Sequence, residues 1–104
     1  MTLAGIRVLE LGEMVSAPYA TKLMADLGAD VIKVEPPTGD RARYRGPFRG
    51  EVDLDASGLF LGVNTNKRSV VVVDGADLEP LIAEADILVT NFSTARLAAL
   101  GIDL

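Results

Sequence analysis

The chain contains neither histidine nor cysteine, and that decides much of what its side chains can do. The usual general bases, thiol nucleophiles and zinc ligands are missing. Ser16, Ser57, Ser69 and Ser93 have no histidine to activate them. The acids Asp26, Glu35, Asp40, Asp53 and Asp55 show no paired spacing of the kind that glycosidase-like acid–base work uses. Most of them read as caps or solvated surface groups. On its own residues the segment is a binding half rather than a reacting half, with no catalytic residue and no metal site.

Two stretches have the residue types for binding. Gly12-Glu13-Met14-Val15-Ser16-Ala17-Pro18 follows an apolar run and precedes a helical pattern. A turn of this kind lies at the carboxyl end of a strand, where ligands of open α/β sheets gather against free helix N–H groups. Glu35 follows at about the separation, roughly 20 residues, at which a dinucleotide-binding acid reaches a ribose. Gly12 is nevertheless the only glycine in the turn, so the G-x-G-x-x-G fingerprint is absent and NAD is disfavoured. The second stretch carries Arg41, Arg43, Arg45 and Arg49 with no acid between 41 and 49. Either these arginines pair with surface carboxylates, or they face a phosphate or carboxylate that a guanidinium fork binds bidentately.

The elements that must position these residues follow from periodicity. Strands are expected at Arg7–Leu11, Val31–Glu35, Ser69–Asp74 and Asp86–Thr90, with nearly continuous apolar cores that suit strands covered on both faces. Between the first two, Tyr19, Leu23, Met24 and Leu27 form one apolar helical face, with Ser16 as N-cap and Gly28 at the C-cap. A second helix spans about 78–84 and a last one about Thr94–Leu100. The pattern is that of a Rossmann-like α/β fold, a mostly parallel sheet with helices on both faces. Residues 36–57, with Pro36, Pro37, Gly39, Gly46, Pro47 and Gly50, are expected to be a long loop. Four parallel strands leave an apolar edge bare, so 1–104 is expected to be the N-terminal portion of a larger domain, or to have that edge covered by a partner.

Composition bounds the partners. With 104 residues and 49% hydrophobic content the chain suits one globular domain. A net charge of −5 and five aromatic residues (two Tyr, three Phe) argue against nucleic acid. No membrane span or signal peptide is apparent, and a cysteine-free chain is expected in the reducing cytoplasm.

Several segments together resemble the family III CoA-transferases, the CaiB/BaiF group, which includes formyl-CoA transferase, carnitine CoA-transferase and 2-methylacyl-CoA racemase branches. They are Gly5-Ile6-Arg7-Val8-Leu9-Glu10-Leu11, Ala17-Pro18, the run from Leu27 to Pro37, Gly39-Asp40, Arg45-Gly46-Pro47-Phe48, Asn66-Lys67-Arg68-Ser69, Ala85-Asp86-Ile87-Leu88-Val89 and Asn91-Phe92. Each is weak alone, but their order and spacing extend over nearly the whole chain. The resemblance implies a much longer enzyme that moves coenzyme A between carboxylic acids, or inverts the carbon beside the thioester, as an interlocked homodimer. It also implies an aspartate nucleophile downstream of this segment, so that these residues alone are inactive. What the resemblance assigns here is a wall of the CoA site. Met14, Val15, Ser16 and Ala17 match residues beside the thioester, Val72 one near the adenine, and Asn91-Phe92 a pair lining the CoA groove. Val72 and Phe92 also read simply as core residues. Asn66-Lys67-Arg68-Ser69 suits loop anchoring as well as phosphate contact.

The departures concern charge. Relatives usually carry Arg-Pro-Gly and then Glu-Arg-Leu-Gly after the Asn-Phe pair. Here Ser93-Thr94-Ala95 and Ala98-Ala99-Leu100-Gly101 stand instead, while Arg96 is gained nearby. Asp74-Gly75-Ala76-Asp77 also lacks the lysine expected in that connection. Either Arg96 and the 41–49 arginines replace the lost cations, or CoA binding is weakened. A non-catalytic subunit or interaction domain is therefore a second reading.

Overall fold

The computed structural model describes residues 2–103. Four strands, β1 (Arg7–Leu11), β2 (Asp30–Glu35), β3 (Arg68–Val71) and β4 (Ile87–Thr90), form one sheet in the order β3-β2-β1-β4, all pairs parallel. This is the first part of the doubly wound order, and the α/β class expected above is what the chain adopts. Helix α1 (Ser16–Asp26) links β1 to β2, and α2 (Gly58–Val63) precedes β3. Helix α3 (Glu79–Glu84) leads to β4, and α4 (Thr94–Ala99) follows it. Among the described residues no helix is long and apolar enough to cross a membrane.

Each face of the sheet has its own core. On one, Leu9, Leu11 and Val34 pack with Leu78 and Leu97 near α3 and α4. On the other, Val8 and Val31 pack with Ala25 and Ala29 from α1 and its C-terminus. Helix α1 ends in a Schellman motif: Gly28, at φ +103°, donates to Ala25 O at 3.0 Å, and the Ala29 N–H reaches Met24 O at 3.0 Å.

The face of α1 that meets the sheet differs from the expected one. Ala17, Pro18, Thr21 and Ala25 are buried, whereas Tyr19, Leu23 and Leu27 are about half exposed. The reason is closeness. A Cβ on Gly12 would lie 2.5 Å from the Ala17 Cβ, so the helix rides too near the strands for large side chains to fit between. Ser16 is also not the expected cap; no side chain caps α1, and its hydroxyl serves elsewhere.

The third strand is shorter than expected and is not covered on both faces. Val70 and Val72 turn toward the α3/α4 core, while Val71 and Val73 remain 63% and 79% exposed. As an edge strand β3 has only one packed side, and Asp74 then caps a 3-10 turn at Gly75–Leu78.

The 36–57 stretch is not a free loop. It holds a 3-10 turn at Arg41–Tyr44 capped by the Asp40 carboxylate, and Ser57 caps α2 by accepting from the Phe60 N–H at 3.2 Å. Its anchor is Glu35, which receives Arg43 in a two-pronged pair at 2.7 and 2.8 Å, the Asp40 N–H at 2.8 Å and the Ser69 hydroxyl. Burial is the largest influence on the Glu35 carboxyl and pushes it up. The donors from Arg43, Ser69 and Asp40 together outweigh it, and the carboxyl settles at about 2 instead of 4.5. A carboxyl lowered by folding stabilises the fold fully above its unfolded value and loses that contribution as pH falls through the folded one. Denaturation followed across the acid range should therefore show stability falling between about pH 4.5 and 2, by on the order of 3 kcal/mol. Glu35→Gln should be less stable at neutral pH and lack that limb; parallel profiles for the two proteins would contradict the assignment.

Candidate functional site

Beyond the carboxyl ends of β1 and β4, two loops meet. The Asn91 side chain accepts from the Glu13 N–H at 3.1 Å and donates to Glu13 O at 2.8 Å and Ser16 Oγ at 2.9 Å. The first turn and the tip of β4 thus share one rim of the sheet, at the point where successive connections leave for opposite faces. Open α/β sheets bind ligands there. Val15 and Ser16 are exposed on this rim, and Ala17 is buried beneath it against the first strand. Met14, between them and Glu13, is held at φ +64°, in the left-handed region that non-glycine residues rarely adopt.

Phe92 and Arg96 extend the rim onto the α3/α4 face. The Arg96 guanidinium lies 3.7 Å from the Phe92 ring centroid, and Phe92, Arg96, Val72, Pro36, Pro37 and Leu100 help to line a groove of about 240 Å³. The groove is mostly apolar with a cation at its mouth. Glu13 joins the two regions, since its Oε1 receives Arg96 at 3.0 Å and Arg41 at 2.8 Å. Two guanidinium groups around one carboxylate leave the rim with surplus positive charge.

The loop arginines divide into distinct roles. Arg43 is committed to Glu35 and lies 3.7 Å from the Phe60 ring centroid. Arg41 reaches the rim. Arg45 and Arg49 are exposed and make no ion pair among the described residues. The expectation that Glu35 and Asp40 are caps or solvated groups is corrected: both are buried, although Asp40 does also cap the 3-10 turn. Glu35, consumed by Arg43 and Ser69, has no freedom to meet a ribose.

Under the turn lies a cluster that residue-type reasoning missed. Lys33 Nζ is 2.7 Å from Glu10 Oε2 and 2.8 Å from Asp40 Oδ2, and donates to Gly12 O at 3.2 Å. Lys67 Nζ meets the other Glu10 oxygen at 2.6 Å, with Pro18 O, Val63 O and Asn64 Oδ1 around it. Burial pushes the Lys67 ammonium down, against the raising effect of Glu10. The Asn66-Lys67-Arg68-Ser69 segment is therefore an anchor: Asn66 donates to Asp26 at 2.8 Å, and the Arg68 guanidinium donates to both carboxylate oxygens of Asp30. A signal was present in the sequence, since Glu10 and Lys33 interrupt otherwise apolar central strands. Their register, Glu10 opposite Lys33, makes them a cross-strand pair.

A second cavity, about 160 Å³, opens at the amino ends of the strands beside α3. Its two arginines each have a carboxylate of their own, Arg68 with Asp30 at 2.7 Å and Arg7 with Glu84 at 3.9 Å, whereas at the carboxyl-end rim Arg41 and Arg96 share the single carboxylate of Glu13. Among the described residues no group of three or more acids could hold a metal ion.

Known proteins share this arrangement of chain. Residues 3–104 match the model of CoA-transferase family III, and the chain belongs to that family. A succinyl-CoA:mesaconate CoA-transferase of Haloarcula hispanica is 41% identical over 98 residues, covering 88% of this chain and 25% of its own length. A formyl-CoA:oxalate CoA-transferase of Streptomyces avermitilis is 41% identical over 104 residues, covering 95% of this chain and 25% of its own. Among solved structures, a CaiB/BaiF family protein from Brucella suis superposes with a TM-score of 0.83 at 35% identity, over 97% of this chain and 28% of that one. The chain thus spans about a quarter of the length of these relatives.

Asn91 links the two loops through three hydrogen bonds at an exposed site. Asn91→Ala should cost about 1–2 kcal/mol of global stability while hydrogen exchange accelerates at residues 13–16. Unchanged exchange there would show that the turn does not depend on Asn91.

Proposed function

We propose that this chain is the CoA-binding wall of an enzyme that transfers coenzyme A between carboxylic acids, with Val15, Ser16, Val72, Asn91, Phe92 and Arg96 facing the acyl-CoA and Ala17 supporting the turn from beneath. The observation that carries the reading is the contact of Asn91 with Ser16 and Glu13. It puts the end of β1 and the end of β4 on one rim, continuous with an apolar groove. A CoA thioester needs those features together: apolar walls for adenine and pantetheine, cations for phosphates, and a polar turn at the carbonyl.

The rim charges bear on the cations missing between 93 and 101. Arg96 and Arg41 converge on Glu13 from opposite loops. An incoming phosphate competes with a single carboxylate for two guanidinium groups, and charge-assisted pairs of this kind contribute about 1.5–3 kcal/mol each. Phe92, against which Arg96 stacks, holds that cation beside the apolar groove.

In this reading the bond-making step belongs to an aspartate in the remaining three quarters of the protein, which attacks the thioester carbonyl and releases the CoA thiolate. The present residues bind and orient. The protein is placed in the cytoplasm, acting as a homodimer on an acyl-CoA and a free carboxylic acid. Transfer is preferred to racemisation because the similar curated proteins are named as CoA-transferases acting on acids such as mesaconate and oxalate.

Isothermal titration of the full-length protein should detect CoA and short acyl-CoAs, and Arg96→Ala should weaken CoA about tenfold or more. No heat at millimolar CoA would refute the reading. The transferase is separated from its alternative by chemistry: label should move from acyl-CoA to an added carboxylate. Solvent deuterium entering beside the thioester with no acceptor present would instead mark a racemase.

A further inference from the structure

The buried cluster has a second output besides holding the sheet together. Asp40 Oδ1 accepts two backbone N–H groups, Ala42 at 2.8 Å in its own 3-10 turn and Met14 at 3.0 Å in the first turn. Its other oxygen is buried 2.8 Å from the Lys33 ammonium, which is shared with Glu10 of β1. This one carboxylate therefore ties the segment after β2 to the turn after β1, and its own position is set by a lysine rooted in the centre of the sheet. Met14 is the residue of that turn in the left-handed region. Such a backbone is unfavourable for a residue with a side chain, and persists where its surroundings enforce it. Asn91 holds Glu13 and Ser16, and Asp40 holds Met14 between them.

We infer that Asp40 is a positioning residue for the acyl-CoA-facing turn, acting through the Met14 backbone to set the direction in which Val15 and Ser16 face the bound thioester. The inference rests on the CoA-binding reading above. Asp40 itself touches no reacting atom; it lies under the turn and is only 2% exposed. Its charge matters because Lys33 fixes it, and its oxygen matters because Met14 has no other hydrogen-bond acceptor for its N–H among the described residues.

The test uses the full-length protein and three variants. Asp40→Ala should lower kcat/KM for acyl-CoA roughly 10- to 100-fold and speed hydrogen exchange at residues 13–16, with β1 still protected. Asp40→Asn keeps an acceptor oxygen and should retain protection at the turn, even where the lost charge lowers the melting temperature. Met14→Gly removes the cost of the left-handed backbone. In that background Asp40→Ala should do markedly less damage than alone, because the two act through the same dihedral. A global structural role predicts additive losses instead. Additive losses, or unchanged exchange at 13–16 in Asp40→Ala, would overturn the inference. Exchange requires no turnover, so it judges the positioning role even if wild-type protein fails to bind CoA; that separate failure would remove the CoA-binding reading and, with it, the functional half of this inference.

Discussion

Charge buried between two parallel strands and the helix above them governs this structure. Glu10 and Lys33 face each other on the central strands, with Lys67 and Asp40 completing the group from two later segments. Ions so far from water are costly, and removing one member of such a pair typically costs about 3–5 kcal/mol because the other is left uncompensated. Here each carboxylate has a cation and each ammonium has further acceptors. The arrangement is selective: apolar residues in its place would fill the space but could not hold three separate chain segments at fixed points. Glu35 and Arg43 repeat the device one step toward the edge, and with Asp40 they pin a segment rich in proline and glycine.

Small residues make the cluster possible. Gly12, Ala17, Thr21 and Ala25 let α1 approach the sheet closely, and the Thr21 hydroxyl can then donate to Glu10 at 2.7 Å. The larger residues of the helix, Tyr19, Leu23 and Leu27, consequently face outward. At the sheet edge, where only one side is packed, Val71 of β3 and Val73 just beyond it remain exposed.

On this frame the rim at the carboxyl ends of β1 and β4 is an assembly of loop ends and helix starts. Asn91 joins two of them, Glu13 draws in two arginines, and Asp40 supports the turn from below. The sheet fixes the chain ends from which each of these contacts is made, which gives irregular backbone a defined geometry.

The sequence by itself determined the strand–helix alternation, the parallel sheet, the Gly28 terminus of α1 and the family, because these depend on local periodicity and on short words in a fixed order. It also placed Ser16 and Asn91 at the ends of strands one and four. It misjudged the buried face of α1, the cover over Val70–Val73 and the freedom of residues 36–57. In each case the deciding quantity was a distance between elements, which no local pattern contains. The acids were misread for the same reason. Whether Glu35 or Asp40 is a solvated group or a buried anchor depends on whether Arg43 or Lys33 stands within about 3 Å, and only the path by which the segment after β2 folds back over the strand end brings those partners together. Tertiary structure alone decided which charges are available to a ligand and which are already spent on the fold.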